Sequence, residues 1–194
     1  MKLNLPNKIT FSRIFLTLVM IFFYLTDFVP YGKIIAVILF IIAACTDFID
    51  GHIARKYNLV TNLGKLLDPI ADKLLVMSAL VMVVADGTIP APYGALACIT
   101  IIGRDFIIGA LRQVVAANGK VLAADKWGKY KTACLDTTIP MIMAIAFNTE
   151  YNIVSGMWLV GFTIFTYAIF AIAIFLTIYS GANYLIKNKS AYLE

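Results

Sequence analysis

Four aspartates fall in one stretch of the chain. It reads Asp47-Phe48-Ile49-Asp50-Gly51-His52-Ile53-Ala54-Arg55, then eight residues, then Gly64-Lys65-Leu66-Leu67-Asp68-Pro69-Ile70-Ala71-Asp72. Asp47 and Asp50 are three apart and Ala54 lies four further on, so on a helix the three share a face. Gly64, Asp68 and Asp72 recur every four residues and share a face of a second helix. The link between the two is short, which predicts antiparallel neighbours and four converging carboxylates. Left unpaired, such a group would repel itself and partly protonate. Cations resolve this, and all-oxygen ligands suit hard ions such as Mg²⁺ or Mn²⁺. Four aspartates are enough for two metals about 3.5–4 Å apart, an arrangement that serves phosphoryl displacement. Gly51 and Gly64 let a ligand approach the backbone closely. Ala54 is small on the same face, and Arg55 can grip phosphate with two parallel hydrogen bonds. His52 is the only histidine and no Ser-His or Cys-His pair is apparent. A direct single displacement is therefore more natural than a covalent enzyme intermediate.

A second region combines cations with aromatics: Gly103-Arg104-Asp105-Phe106, Leu111-Arg112, and Ala124-Asp125-Lys126-Trp127-Gly128-Lys129-Tyr130-Lys131-Thr132. Arg104 lies inside an apolar run, where it either neutralises Asp105 or lines a pocket for an anion. Lys126, Lys129 and Lys131 either only set membrane orientation or join Arg104 and Arg112 in holding a phosphorylated molecule.

The elements that must position these residues are read from composition. The chain has 194 residues, 61% of them hydrophobic and 14% charged, against roughly 45–50% and 25% in soluble domains. That excludes a disordered chain and argues against a soluble globular one. Three cysteines, Cys45, Cys98 and Cys134, sit in apolar stretches and read as buried free thiols. Six apolar stretches are present: Ile14 to Thr26, Ile34 to about Arg55, Leu66 to Ala85, Ile89 to Leu111, Thr132 to Phe147, and Tyr151 to Ile186. Crossing a bilayer takes about 20 residues; several stretches reach this only by including polar residues at one end. Pro30 with Gly32, Pro90 with Pro92, and Asn148 to Asn152 mark tight turns. Pro69 fits best if the third span starts near Lys65, Pro140 is expected to kink the fifth, and Gly181 is a candidate kink in the sixth. Of 16 Lys and Arg, only Lys33 falls at the turns after spans one, three and five. The positive-inside rule then places the other side, and both termini, in the cytoplasm. The net charge of +5 reads as orientation, with no nucleic acid implied. Lys2 and Lys8 precede the first apolar run, but no clear small-x-small cleavage site follows, which predicts a retained first span. The expectation is one all-α integral membrane domain over residues 1–194, with six transmembrane helices. Aspartates at membrane depth are costly and mark function by default.

The aspartate run resembles the signature of the CDP-alcohol phosphatidyltransferase family, D-x-x-D-G-x-x-A-R, a spacer, then G-x-x-x-D-x-x-x-D. Every defined position matches between Asp47 and Asp72. The resemblance implies transfer of a phosphatidyl or related group from a CDP-linked donor to an alcohol, with release of CMP. It implies Asp47, Asp50 and Asp68 as ligands of two divalent metals, Mg²⁺ or Mn²⁺, with Asp72 as ligand and general base. Gly51, Ala54, Arg55 and Gly64 would lie along the donor's cytidine diphosphate. Pro6-Asn7-Lys8-Ile9-Thr10-Phe11-Ser12-Arg13 is similar to the family's P-N-x-x-T-x-x-R opening, which implies that Asn7, Thr10 and Arg13 border the nucleotide. A homodimer is also implied. Gly128-Lys129-Tyr130-Lys131-Thr132 is similar to the G-K-x-K-T run of the branch that uses sn-glycerol 3-phosphate. Asp125 and Leu135 stand where that branch often has Ser and Gln. That likeness implies CDP-diacylglycerol as donor, glycerol 3-phosphate as acceptor, and Arg104, Arg112, Lys126, Lys129 and Lys131 around the acceptor's phosphate. Competing readings are inositol phosphate or serine as acceptor, a cation transporter using the aspartates, and a structural membrane protein with an ion-paired cluster.

Overall fold

Each of the six apolar stretches forms one helix. The computed structural model describes the backbone of residues 5–56, 62–117 and 126–189, and the side chains there except at 5–6, 47–56, 62, 65–66 and 117. In order, the helices are α1 (Leu5–Leu25), α2 (Gly32–Lys56), α3 (Asn62–Ala85), α4 (Tyr93–Ala117), α5 (Lys126–Tyr151) and α6 (Met157–Lys187). At about 1.5 Å per residue each is long enough to cross a hydrocarbon core. By length and apolarity together, α1, α4 and α6 qualify as membrane spans. α2 is apolar over Gly32–Thr46, and its polar residues follow at its C-terminal end. α3 carries its charged residues at its N-terminal end, and α5 carries all of its charged residues but Glu150 there.

Local chemistry sets the boundaries. Pro6 lies in the first turn of α1, where its missing N–H costs nothing. A Cβ on Gly32 would stand 2.3 Å from the Phe23 carbonyl oxygen, so only glycine lets α2 start against the end of α1. Asn152 and Gly156 take left-handed backbone (φ 49° and 80°). The sixth helix therefore begins at Met157, not at Tyr151 as the apolar run suggested. The Asn148 side chain closes that turn, donating to the Val154 carbonyl (2.9 Å) and accepting from the Val154 N–H (2.7 Å). The third helix also departs from expectation: it begins at Asn62, so Pro69 lies in its interior. The carbonyl of residue 65 thereby lacks its usual donor four residues on.

The chain forms two compact units, Met1–Thr88 with Ile139–Ser155, and Ile89–Thr138 with Gly156–Glu194. In the first, α1 packs on α2 and α3, and α2 on α3. Ala36, Ala43, Ala71 and Ala79 are fully buried there; such small residues let membrane helices approach closely. In the second, α4 packs on α6. Large apolar side chains point outward, among them Phe15, Phe22, Leu96 and Phe175, the surface expected of helices solvated by lipid. The three cysteines are free, as expected, but none is buried: Cys45 is exposed on α2, and Cys98 and Cys134 are half-buried.

The first unit confirms that the turns after α1, α3 and α5 share one end. Lys33 Nζ lies 3.3 Å from Glu150 and 3.5 Å from Asp86. The Tyr24 hydroxyl donates to Asp86, and Tyr31 stacks on Tyr151 at 4.7 Å between ring centroids. The one cation at these turns is thus held by two carboxylates.

Candidate active site

At the opposite end of the first unit, α1 presents a polar stripe inward. Asn7, Thr10, Arg13 and Thr17 are 5, 0, 0 and 0% exposed, whereas Lys8 and Ser12 of the same helix are exposed. Their spacing follows the helical period, so all four face the same neighbours. The Thr17 hydroxyl is absorbed by its own helix, donating to the Arg13 carbonyl at 2.9 Å. Arg13 Nε donates to Thr46 Oγ1 of α2 at 3.4 Å. Thr46 directly precedes Asp47. Thr10 Oγ1 donates to Asp68 Oδ1 of α3 at 2.7 Å. The start of α1 is therefore tied to the end of α2 by Arg13 and to the start of α3 by Thr10.

Asp68 and Asp72 are half-buried, one helical turn apart, and Gly64 is buried one turn before them. The predicted i, i+4, i+8 register on α3 holds. α2 is helical through Lys56, so its register puts Asp47, Asp50 and Ala54 on one face. The side chains of Asp47, Asp50, Ala54 and Arg55, and any ligand role of Gly51, lie outside the described residues. Among the described residues no group of three or more His, Cys, Asp or Glu gathers as a metal site; half of the predicted set is not among them. The donor chemistry of the two described aspartates does fit a hard divalent ion: both are carboxylates, and Asp68 forms no ion pair with a described residue.

The second unit holds a different cluster. Arg104 Nη1 lies 3.0 Å from Asp105 Oδ1, and Nη2 donates to Ser180 Oγ of α6 at 2.9 Å. Lys131, 3% exposed, donates to Asp105 Oδ2 at 2.7 Å. Arg104 Nε is buried without a partner among the described residues. Two cations share the Asp105 carboxylate here, and Asp136 adds a second negative charge near Lys131. One turn-pair further along α4, Arg112 donates to the Tyr184 hydroxyl at 3.1 Å and lies over its ring. Lys126 and Lys129 are exposed at the start of α5. The five predicted basic residues thus separate into a buried pair on Asp105, an arginine on Tyr184, and two exposed lysines. A cavity of about 390 Å³ lies between α4 and α6, and its walls are apolar apart from Arg104, Thr100 and Thr177.

Several partners escaped sequence reasoning. Ser180 and Tyr184 sit four apart in the charge-free sixth stretch, a polar pair on one face that could have been noticed. Gly181 proved to be a place of close approach: a Cβ there would lie 3.0 Å from Arg104 Cγ, and α6 continues through it. Gly128 does the same from α5, at 3.3 Å from Arg104 Nη2. The arginine is cradled by two glycines.

Known proteins are similar to this chain in sequence. The CDP-alcohol phosphatidyltransferase family model matches residues 3–179. A protein of Bacillus subtilis (strain 168) named CDP-diacylglycerol–glycerol-3-phosphate 3-phosphatidyltransferase is 40% identical, over 97% of this chain and 96% of its own length. Proteins of the same name are similar from Haemophilus influenzae, at 34% identity over 100% of this chain and 98% of theirs, and from Rickettsia typhi, at 33% over 96% and 98%. The chain belongs to the CDP-alcohol phosphatidyltransferase family and is a multi-pass membrane protein.

Proposed function

We propose that this enzyme transfers the phosphatidyl group of CDP-diacylglycerol to sn-glycerol 3-phosphate, giving phosphatidylglycerophosphate and CMP. The observation that carries the reading is the complete aspartate frame on α2 and α3, in a chain whose full-length relatives bear the name of that reaction. Asp47, Asp50, Asp68 and Asp72 would hold two divalent ions, Mg²⁺ or Mn²⁺. Bound there, the ions would neutralise the diphosphate and favour the departure of CMP. Asp72, half-buried at the start of α3, takes the proton of the acceptor's primary hydroxyl. That oxygen bonds to the β-phosphorus as the bond from phosphorus to the CMP oxygen breaks. Gly51, Ala54, Arg55 and Gly64 line the donor's nucleotide, with Asn7, Thr10 and Arg13 of α1 beside it. Arg104 and Lys131, joined on Asp105, receive the acceptor's phosphate, helped by Arg112, Lys126 and Lys129.

The same reading holds that all six helices span the cell membrane as one domain, with both termini and the aspartate end in the cytoplasm. Two observations support it: the family match runs through both units, and the turns after α1, α3 and α5 meet at the end that carries Lys33. The homodimer rests on the family likeness alone. The test is CMP release by purified protein given CDP-diacylglycerol, Mg²⁺ or Mn²⁺, and a panel of alcohols. Release dependent on glycerol 3-phosphate is expected. Release only with inositol phosphate or serine would overturn the acceptor, and no release from folded protein would overturn the activity.

A further inference from the structure

Thr10 and Asp68 are 58 residues apart in sequence, and their contact is not part of the aspartate signature. Thr10 is fully buried, so its hydroxyl does not open onto solvent. Its proton is directed to Asp68 Oδ1 at 2.7 Å, a short and well-formed bond. A carboxylate is planar, so fixing one oxygen restricts where the other points. The donor is neutral, so this bond brings no counter-charge to Asp68. Asp68 also stands directly before Pro69, where the ladder of α3 lacks one backbone bond. A side chain at such a place gains most from an outside tether. The tether is itself anchored, because Arg13 one turn along α1 binds Thr46 of α2.

We infer that Thr10 is a positioning residue: its hydroxyl aims Asp68 at a divalent cation. This rests on the reading of Asp68 as a metal ligand. Outer hydrogen-bond partners of ligating carboxylates commonly set metal affinity by about 10–100-fold. The hydroxyl would act before any substrate binds, so its effect belongs to metal binding and not to turnover alone.

The experiment measures Mn²⁺ binding to the purified full chain by the loss of the free-Mn²⁺ electron paramagnetic resonance signal, with no substrate present. Wild type, Thr10→Val, Thr10→Ser and Asp68→Asn are compared. Thr10→Val keeps the size of the side chain and removes the donor, and should weaken Mn²⁺ binding by about 10–100-fold. Thr10→Ser restores the donor and should bind close to wild type. The metal-free melting temperature of Thr10→Val should match wild type, which separates aiming from folding. Wild-type Mn²⁺ affinity in Thr10→Val, or a Thr10→Ser variant as weak as Thr10→Val, would overturn the inference. No Mn²⁺ binding by wild type, or unchanged binding by Asp68→Asn, would instead overturn the metal reading on which it stands.

Discussion

Asp68 in the first unit and Asp105 in the second are both half-buried carboxylates on apolar helices, yet their surroundings differ in kind. Asp105 is clamped by two cations, Arg104 at 3.0 Å and Lys131 at 2.7 Å. Asp68 takes a hydrogen bond from the neutral Thr10. Asp105 has its charge spent on the protein. Asp68 forms no ion pair with a described residue, which leaves its charge open to the divalent ion proposed above. Burial alone therefore does not distinguish the two aspartates; the charge of the hydrogen-bond partner does.

This contrast can be broken or sharpened by substitution. The largest effect is expected at the aspartate end. Asp72→Asn removes the base and should lower CMP release by about 10²–10⁴-fold, while CDP-diacylglycerol still binds. Undiminished turnover would remove Asp72 from the chemistry. Next comes stability. Asp105→Ala leaves Lys131 buried without its partner, and removing one member of a buried pair costs about 3–5 kcal/mol. Asp68→Asn should leave the metal-free melting temperature at or above that of wild type, because it removes one negative charge from an acidic group. Equal destabilisation by both substitutions would erase the distinction drawn here. A smaller effect is expected from Gly181→Ala, whose Cβ would press on Arg104 Cγ at 3.0 Å. The Michaelis constant for glycerol 3-phosphate should rise several-fold, with that for CDP-diacylglycerol unchanged. The smallest belongs to Lys33→Met at the opposite end of the first unit. It should lower stability by less than Asp105→Ala does, because Lys33 is less buried than Lys131, and leave turnover intact.

The aspartate frame was legible in the sequence because helical periodicity converts spacing directly into a shared face, and Asp68 and Asp72 follow that register in α3. The six helices were legible because each apolar run is long and bounded by turn chemistry. Their ends were less so. The backbone at Asn152 and Gly156 excludes the first residues of the sixth run from its helix, and Pro69 is tolerated inside α3. Contacts between distant residues left no local trace. Thr10 with Asp68, Arg104 with Ser180 and Arg112 with Tyr184 are 58, 76 and 72 residues apart. No period links them, so only packing reveals them. The basic set looked like one group in sequence because its members share a charge. The structure divides it by burial: Lys131 is enclosed, while Lys126 and Lys129 are exposed.

The most direct measurement follows the acceptor itself. Purified protein in detergent with lipid would be given CDP-diacylglycerol, Mg²⁺ or Mn²⁺ and radiolabelled glycerol 3-phosphate, and the organic and aqueous phases separated. The account predicts label entering the lipid phase one-for-one with CMP release, and none after chelation of the metal. CMP release with the label left in water would show hydrolysis of the donor or transfer to another alcohol, and would contradict it.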